Sequence, residues 1–405
     1  MKNLTILTVA ILCLLQITTT LSHADTITNH YDHFTQLSTE QERQLGVIIP
    51  PEGTVKVGES NGIPIYDTPS RRFTDPEIAE IIRMLDLVPE KMLETPPRAI
   101  IAASKDTAGR AIRPNAVATA SGPYIFLGTA FFQGSAGGFS AKTTENDRNS
   151  IFMHEYAHVL QYYHLDPEKG KIQNMKETSS LVFDFAKQAG WKAHRRLHKD
   201  KILTGDDFAF DVVRDGNHQW FLPEDQEDGT TKYGQTNPVE DHAEAFGWVI
   251  AGHPGYLSGA RVEHVLTYLG ATRDDFTQGV LPIHPRALRS RGQPRGSKKF
   301  FQDLTPDGFT RQDGDRQYFC FIDDDEGISF DDAMQYYAAE FTDRGYAADI
   351  PIEHKILPLK EDHASAVYSF DGQHVLLQIV DLTNADQYIV KGDMTIRIAL
   401  GSYSP

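Results

Sequence analysis

Two histidines four residues apart bracket a glutamate in His154-Glu155-Tyr156-Ala157-His158. On an α-helix, residues at that spacing lie one above the other on the same face, so both imidazoles can be directed at a single metal ion. Glu155 is one position on from His154 and rotated by about 100° on the helical period. Its carboxylate then sits beside the ion rather than on it, where it can take a proton from zinc-bound water. The chemistry implied is hydrolysis with zinc (Zn2+) as the expected cofactor.

That meaning depends on a helix and on a third ligand. Asp147-Arg148-Asn149-Ser150 supplies capping residues, and Phe152, Tyr156, Val159, Leu160 and Tyr163 form an apolar stripe at helical spacing. Without a third ligand the same segment also reads as an ordinary amphipathic helix with two solvated or core histidines. Two residues compete for the position. His164 stands where the metzincin pattern HExxHxxGxxH places its last histidine, but that pattern needs a glycine to leave the helix, and this chain has Gln161 there. On a continuing helix His164 lies about 15 Å along the axis from His154 at 1.5 Å per residue, out of reach. The other candidate is Glu240, in Asn237-Pro238-Val239-Glu240-Asp241-His242-Ala243-Glu244-Ala245-Phe246, where Pro238 fits a first helical turn. Glu240 and Glu244 share one helix face, so one can bind zinc while the other orients a ligand histidine. A solvated acidic helix start is the plainer reading of the same residues.

The two blocks together, HEYAH and Tyr233 through Phe246, resemble the gluzincin zinc metallopeptidases, in particular the branch similar to anthrax lethal factor and its bacterial relatives. The resemblance covers residues 75 to 270 loosely and the motif blocks tightly. It implies zinc ligands His154, His158 and Glu240, general base Glu155, an electrophilic Tyr233 seven residues before the ligand glutamate, and Glu244 behind a ligand. It also implies a zincin-like domain: a mixed sheet with an edge strand, an active-site helix and a helical lower part. The strand before the active helix, Gly122 through Gly128, takes the edge role, where an extended peptide adds by main-chain hydrogen bonds. His242 departs from the pattern, which usually has an aromatic or aliphatic residue there.

The rest of the chain must position these groups. Thr74-Asp75-Pro76 opens a helix carrying Ile78, Ile81, Ile82, Met84, Leu85 and Leu87, while Arg98 to Ala103 and Tyr124 to Leu127 read as strands. Gly134 to Ser140 reads as a loop beside the cleft. Residues 165 to 232, with Trp191 and Trp220, separate the motif blocks and are expected to shape the cleft. Gly58-Glu59-Ser60-Asn61-Gly62 matches the serine-hydrolase pattern GxSxG, but strand-like residues on both sides make Asn61-Gly62 a hairpin turn instead.

Residues 1–24 read as a secretory signal peptide: Lys2, an apolar run from Leu4 to Ile17, and Ser22-His23-Ala24 at the cleavage site. A zincin-like domain is expected over 25–285, a basic Pro/Gly linker over 286–300 and a small α+β accessory domain over 301–405, so the fold class is α+β. In the accessory domain Tyr318 to Ile322, His363 to Phe370, Val375 to Asp381 and Met394 to Leu400 read as strands, and Phe330 to Phe341 as a helix ended near Gly345. Asp323-Asp324-Asp325-Glu326 lacks EF-hand spacing and reads as a solvated turn. The basic run His194 to Lys199 reads as a solvated helix face.

With 405 residues and a net charge of −17, nucleic acid is not an expected partner. A peptide or protein substrate is, with no membrane partner once the leader is cleaved. Removing that leader takes Cys13 with it, leaving Cys320 alone between Phe319 and Phe321, where burial is expected. The expectation is thus a secreted or periplasmic zinc endopeptidase. The alternatives are a metzincin using His164 and a catalytically silent metal-binding or adhesion module.

Overall fold

Asn61 and Gly62 both adopt positive φ, 52° and 74°, and turn the chain between strands β1 (Val55–Ser60) and β2 (Ile63–Asp67). This is the tight hairpin that Asn-Gly favours, and it removes Ser60 from any nucleophile elbow. The computed structural model describes residues 37–103, 117–133, 145–165, 179–197, 201–202, 218–221, 231, 233–284, 288–289, 301–302, 304–311, 317–323, 327–356, 362–381 and 393–405. The leader at 1–24, the Gly134 to Ser140 loop, Asp324 to Glu326 and most of the 286–300 linker lie outside them.

By internal contacts the chain forms two units, one of Met1–Phe139, Thr143–Gly247 and Leu257–Gly270, the other of Ser140–Lys142, Trp248–Tyr256 and Ala271–Pro405. Both mix helix and strand, so the chain is α+β.

The first unit opens with α1 (Thr39–Leu45), closed at its start by a Ser38/Gln41 capping box. Its five-stranded sheet has the order β1-β2-β3-β5-β4, with β3 at Ala99–Ala103, β4 at Ala118–Ser121 and β5 at Tyr124–Gly128. The strand Ala99-Ile100-Ile101-Ala102-Ala103 has parallel neighbours on both sides and is buried throughout, as an unbroken apolar run predicts. Helix α2 (Asp75–Asp86) starts at a Thr74/Glu77 capping box with Pro76 in its first turn, as read, and buries Ile81, Met84 and Leu85. Short helices α3 (Glu90–Leu93) and α4 (Thr129–Gln133) follow α2 and β5.

One expectation about this sheet is overturned. Gly122 to Gly128 is not its edge, because β5 is flanked by β3 and β4; among the described residues the edge strands are β1 and β4, the latter paired antiparallel to β5 through Ala118↔Leu127 to Ser121↔Tyr124. The four-residue run Ala-Thr-Ala-Ser carries too little apolar pattern to announce a strand.

Helix α5 (Glu145–Tyr163) carries HEYAH and lies against β4 and β5. It begins before the residues expected to cap it, so Asp147 to Ser150 fall inside its first turns. Phe152, Tyr156, Val159, Leu160 and Tyr163 are all buried, but so are Met153, Ala157, Gln161 and Tyr162, so the helix is enclosed on nearly every side. Tyr156 Oη donates to Met92 O and Tyr163 Oη to Pro96 O, tying the helix to the α3 region. The unit continues with α6 (Ser180–Gln188), a three-stranded sheet of β6 (Lys192–Leu197), β7 (Lys201–Ile202) and β8 (His218–Phe221), then α7 (Pro238–Ile250) and α8 (Gly259–Leu269). The run from His194 is therefore a strand through Leu197, not a helix face.

In the second unit α9 (Asp274–Thr277) precedes an antiparallel sheet ordered β12-β13-β14-β15-β11-β9, with β10 on β15. The strands are β9 (Leu288–Arg289), β10 (Phe309–Thr310), β11 (Gln317–Asp323), β12 (Ala347–Ile356), β13 (Asp362–Phe370), β14 (Gln373–Asp381) and β15 (Asp393–Tyr403). Helix α10 (Phe330–Asp343) packs Ala333, Tyr337 and Phe341 on one sheet face against Ala364, Tyr368, Val375, Leu377 and Ile396. Cys320 is buried in that core.

The boundary differs from the linker at 286–300, since Ala271 onward already belongs to the second unit. Side chains near the end of α10 capture that stretch: Arg344 Nη1 donates to Val280 O, Tyr346 Oη to Gly279 O and Tyr336 Oη to Ile283 O. Leu288–Arg289 within the expected linker also pairs with β11. Among the described residues no helix is long and apolar enough to cross a membrane.

Candidate metal centre

Four residues of α5 and α7 meet because both helices present the right face and one residue between them has no side chain. A Cβ on Gly247 would lie 2.6 Å from Ser150 O and 3.4 Å from His154 Cβ, so only glycine lets α7 approach α5 this closely. The start of α7 is set by Asn237, whose Oδ1 accepts the Val239 and Glu240 N–H groups at 2.9 and 3.2 Å. Its orientation is fixed by Asp241, which is fully buried with Arg261 of α8: Arg261 Nε and Nη2 bond its carboxylate at 2.9 and 2.8 Å, and Trp191 Nε1 adds a bond of 2.7 Å. Trp191, read as a cleft residue, is therefore an anchor for α7.

At the meeting point His154 Nε2, His158 Nε2 and Glu240 Oε2 face one another. The two nitrogens are 3.1 Å apart, and Glu240 Oε2 is 3.3 Å from His154 and 3.2 Å from His158. This His154, His158, Glu240 group could hold a metal ion. Each ring's other nitrogen is engaged behind it: His154 Nδ1 lies 2.9 Å from Glu244 Oε1, and His158 Nδ1 2.8 Å from Gln161 Oε1. That is how ligand histidines are generally oriented. Glu244, which the resemblance set behind a ligand, is the group at the His154 Nδ1.

Electrostatics in the cluster call for positive charge. Burial alone would lower the His154 pKa, yet the Glu240 and Glu244 carboxylates raise it to about 10. Burial likewise opposes charge on His158, and Glu240 outweighs it to give an upward shift. Burial pushes Glu240 up, but His158 and His154 together hold it well below the usual carboxylate range. A cation between these donors satisfies the same demand.

Glu155 lies beside this group, buried, with Oε2 accepting the Ala120 N–H at 2.6 Å. Burial raises its pKa, against the pull of His154 and His158. The Ala120 N–H belongs to the edge strand β4, so the carboxylate is pinned to that strand.

Tyr233 immediately precedes a 3-10 turn (Gly234–Thr236) that leads into α7. Its ring is 5.7 Å from the His154 ring, half of it is solvent-exposed, and burial together with the Glu240 and Glu155 charges raises its phenol pKa. Thr231 braces the turn by accepting the Gly234 N–H and donating to Glu244 Oε2 at 2.8 Å.

His164 is not among these donors. Its N–H bonds Leu160 O, continuing the helical pattern past the point where a turn back would be needed, and its ring packs near Tyr268. Three contributors escaped the sequence reading: Ala120, Thr231 and Gln161. Gln161 alone carried a signal, an amide one helical turn after a ligand histidine. No protein-family model, curated protein or solved structure matches the chain.

Proposed function

We propose that this protein is a zinc-dependent endopeptidase, exported through its N-terminal leader to the periplasm or the medium, with a zincin-like first unit of the gluzincin type. The observation that carries the reading is the separation of the three donor atoms, 3.1, 3.2 and 3.3 Å. Tetrahedral zinc with bonds of about 2.0–2.1 Å needs its ligand atoms about 3.3 Å apart, and two imidazoles with one carboxylate are a set it takes in catalytic sites. Zinc, when bound, lowers the pKa of water at its open position and polarises a carbonyl oxygen.

The chain's own groups supply the remaining steps. Glu155, with one oxygen held by the Ala120 N–H, uses the other to take a proton from the attacking water. It then delivers that proton to the leaving amine nitrogen as the peptide C–N bond breaks. The Tyr233 hydroxyl donates to the oxyanion that forms at the carbonyl. An extended peptide is bound along the edge strand β4, next to Glu155.

Glu155→Gln separates catalysis from metal binding, since the amide keeps the shape and makes no metal bond. We expect it to retain zinc and to lose peptide hydrolysis by about 10²- to 10⁴-fold, the usual share of a general base. Cleavage of a diverse peptide library by zinc-loaded wild type and variant is the measurement. No cleavage by the wild type removes the peptidase reading; equal cleavage by both removes Glu155 as the base.

A further inference from the structure

We infer that Gln161 is the positioning residue for His158, held in one orientation by the Val239 carbonyl and the buried His242 ring. The inference rests on reading the cluster as a zinc site, and it gives a role to His242, the position at which this chain departs from the gluzincin pattern.

Gln161 is fully buried on α5, one turn after His158. Three groups surround its amide: His158 Nδ1 at 2.8 Å, Val239 O at 2.9 Å and His242 Nδ1 at 2.9 Å. Oxygen and nitrogen of an amide are assigned from such neighbours, and here one neighbour decides. The Val239 carbonyl can only accept, so the amide nitrogen faces it and the amide oxygen faces His158. That oxygen can only accept in turn, so His158 Nδ1 carries a proton. The lone pair of His158 is thereby left on Nε2, the atom that faces His154 and Glu240.

The second amide proton goes to His242 Nδ1, which fixes the His242 ring proton on Nε2. His264 Nδ1 lies 2.7 Å from Gln188 Oε1. The two rings are 5.6 Å apart, and Phe185 packs edge-on against both. Their Nε2 atoms are buried without a side-chain or backbone partner among the described residues.

Two variants and two readouts test this. Gln161→Met keeps length and volume but removes the acceptor for His158, whereas Gln161→Glu keeps an acceptor. Zinc affinity, measured by competition with a chromophoric chelator, is expected to fall about 10- to 100-fold in Gln161→Met, the usual cost of losing such a partner. Gln161→Glu, which keeps the acceptor for His158 but loses the donor to Val239 O, is expected to lose less affinity than Gln161→Met. Wild-type affinity in Gln161→Met overturns the positioning role.

The second readout needs no metal. Long-range nitrogen–proton correlation spectra of histidine-labelled, metal-free protein at neutral pH are expected to show His242 protonated on Nε2 in the wild type and on Nδ1 in Gln161→Glu, where it must donate to the carboxylate. His242 protonated on Nδ1 in the wild type overturns the Gln161–His242 link. A wild type that binds no zinc but shows the expected His242 tautomers rejects the metal reading and keeps the Gln161–His242 link, so the two failures are distinct.

Discussion

The two units of this chain bury charge in different ways. In the second, the Arg344 guanidinium bonds Glu340 at 2.9 and 3.0 Å and also the carbonyl oxygens of Gly252 and Val280, so a cation with several neutral acceptors closes a sheet core of Tyr337, Phe341, Leu377 and Ile396. In the first, the buried pair Asp241–Arg261 depends on a single carboxylate, and next to it His154, His158, Glu155 and Glu240 crowd into a few ångströms. One arrangement locks a fold. The other keeps a group of donors aimed at a common point, and its lock lies one residue away, on the helix that supplies Glu240.

Removing each lock separates the two roles. Asp241→Ala leaves Arg261 charged and buried with no carboxylate and strips Trp191 of its acceptor, so a loss of about 3–5 kcal/mol in stability is expected, together with weaker metal binding because α7 loses its orientation. Denaturant unfolding paired with zinc titration checks it; a stable variant with unchanged affinity breaks the contrast. Tyr233→Phe touches neither lock. It is expected to lower kcat more than KM by about 2.7–4 kcal/mol of transition-state stabilisation while zinc content and stability hold. A rate within about threefold of wild type makes Tyr233 a packing residue. Glu340→Gln is the mildest of the three, because Arg344 keeps its carbonyl partners: about 1–3 kcal/mol in stability, with zinc affinity unchanged.

Legibility follows the same division. Elements whose burial repeats at a regular period were readable: α2 from its Thr74-Asp75-Pro76 start and apolar face, β3 from an unbroken apolar run, the β1–β2 turn from Asn-Gly, and β11, β13, β14 and β15 from alternation. Strand β12 was not, since its register shifts twice against β13 and much of it is exposed, which erases the two-residue period. The edge strand was misplaced because four small residues carry no periodic signal. His154 and His158 share one helix face as their spacing suggested and Glu240 joins them as the resemblance implied, but what holds the three does not follow from spacing. Gly247, Trp191 and Arg261 act through contacts between segments far apart in the chain, and Ala120 acts through its backbone, which no side chain announces.

Zinc content tests the central claim most directly. Elemental analysis of purified wild type, His158→Ala, Glu240→Ala and His164→Ala is expected to give one zinc per chain in the wild type and in His164→Ala, and little or none in the other two. Zinc kept without Glu240 but lost without His164 would contradict the account.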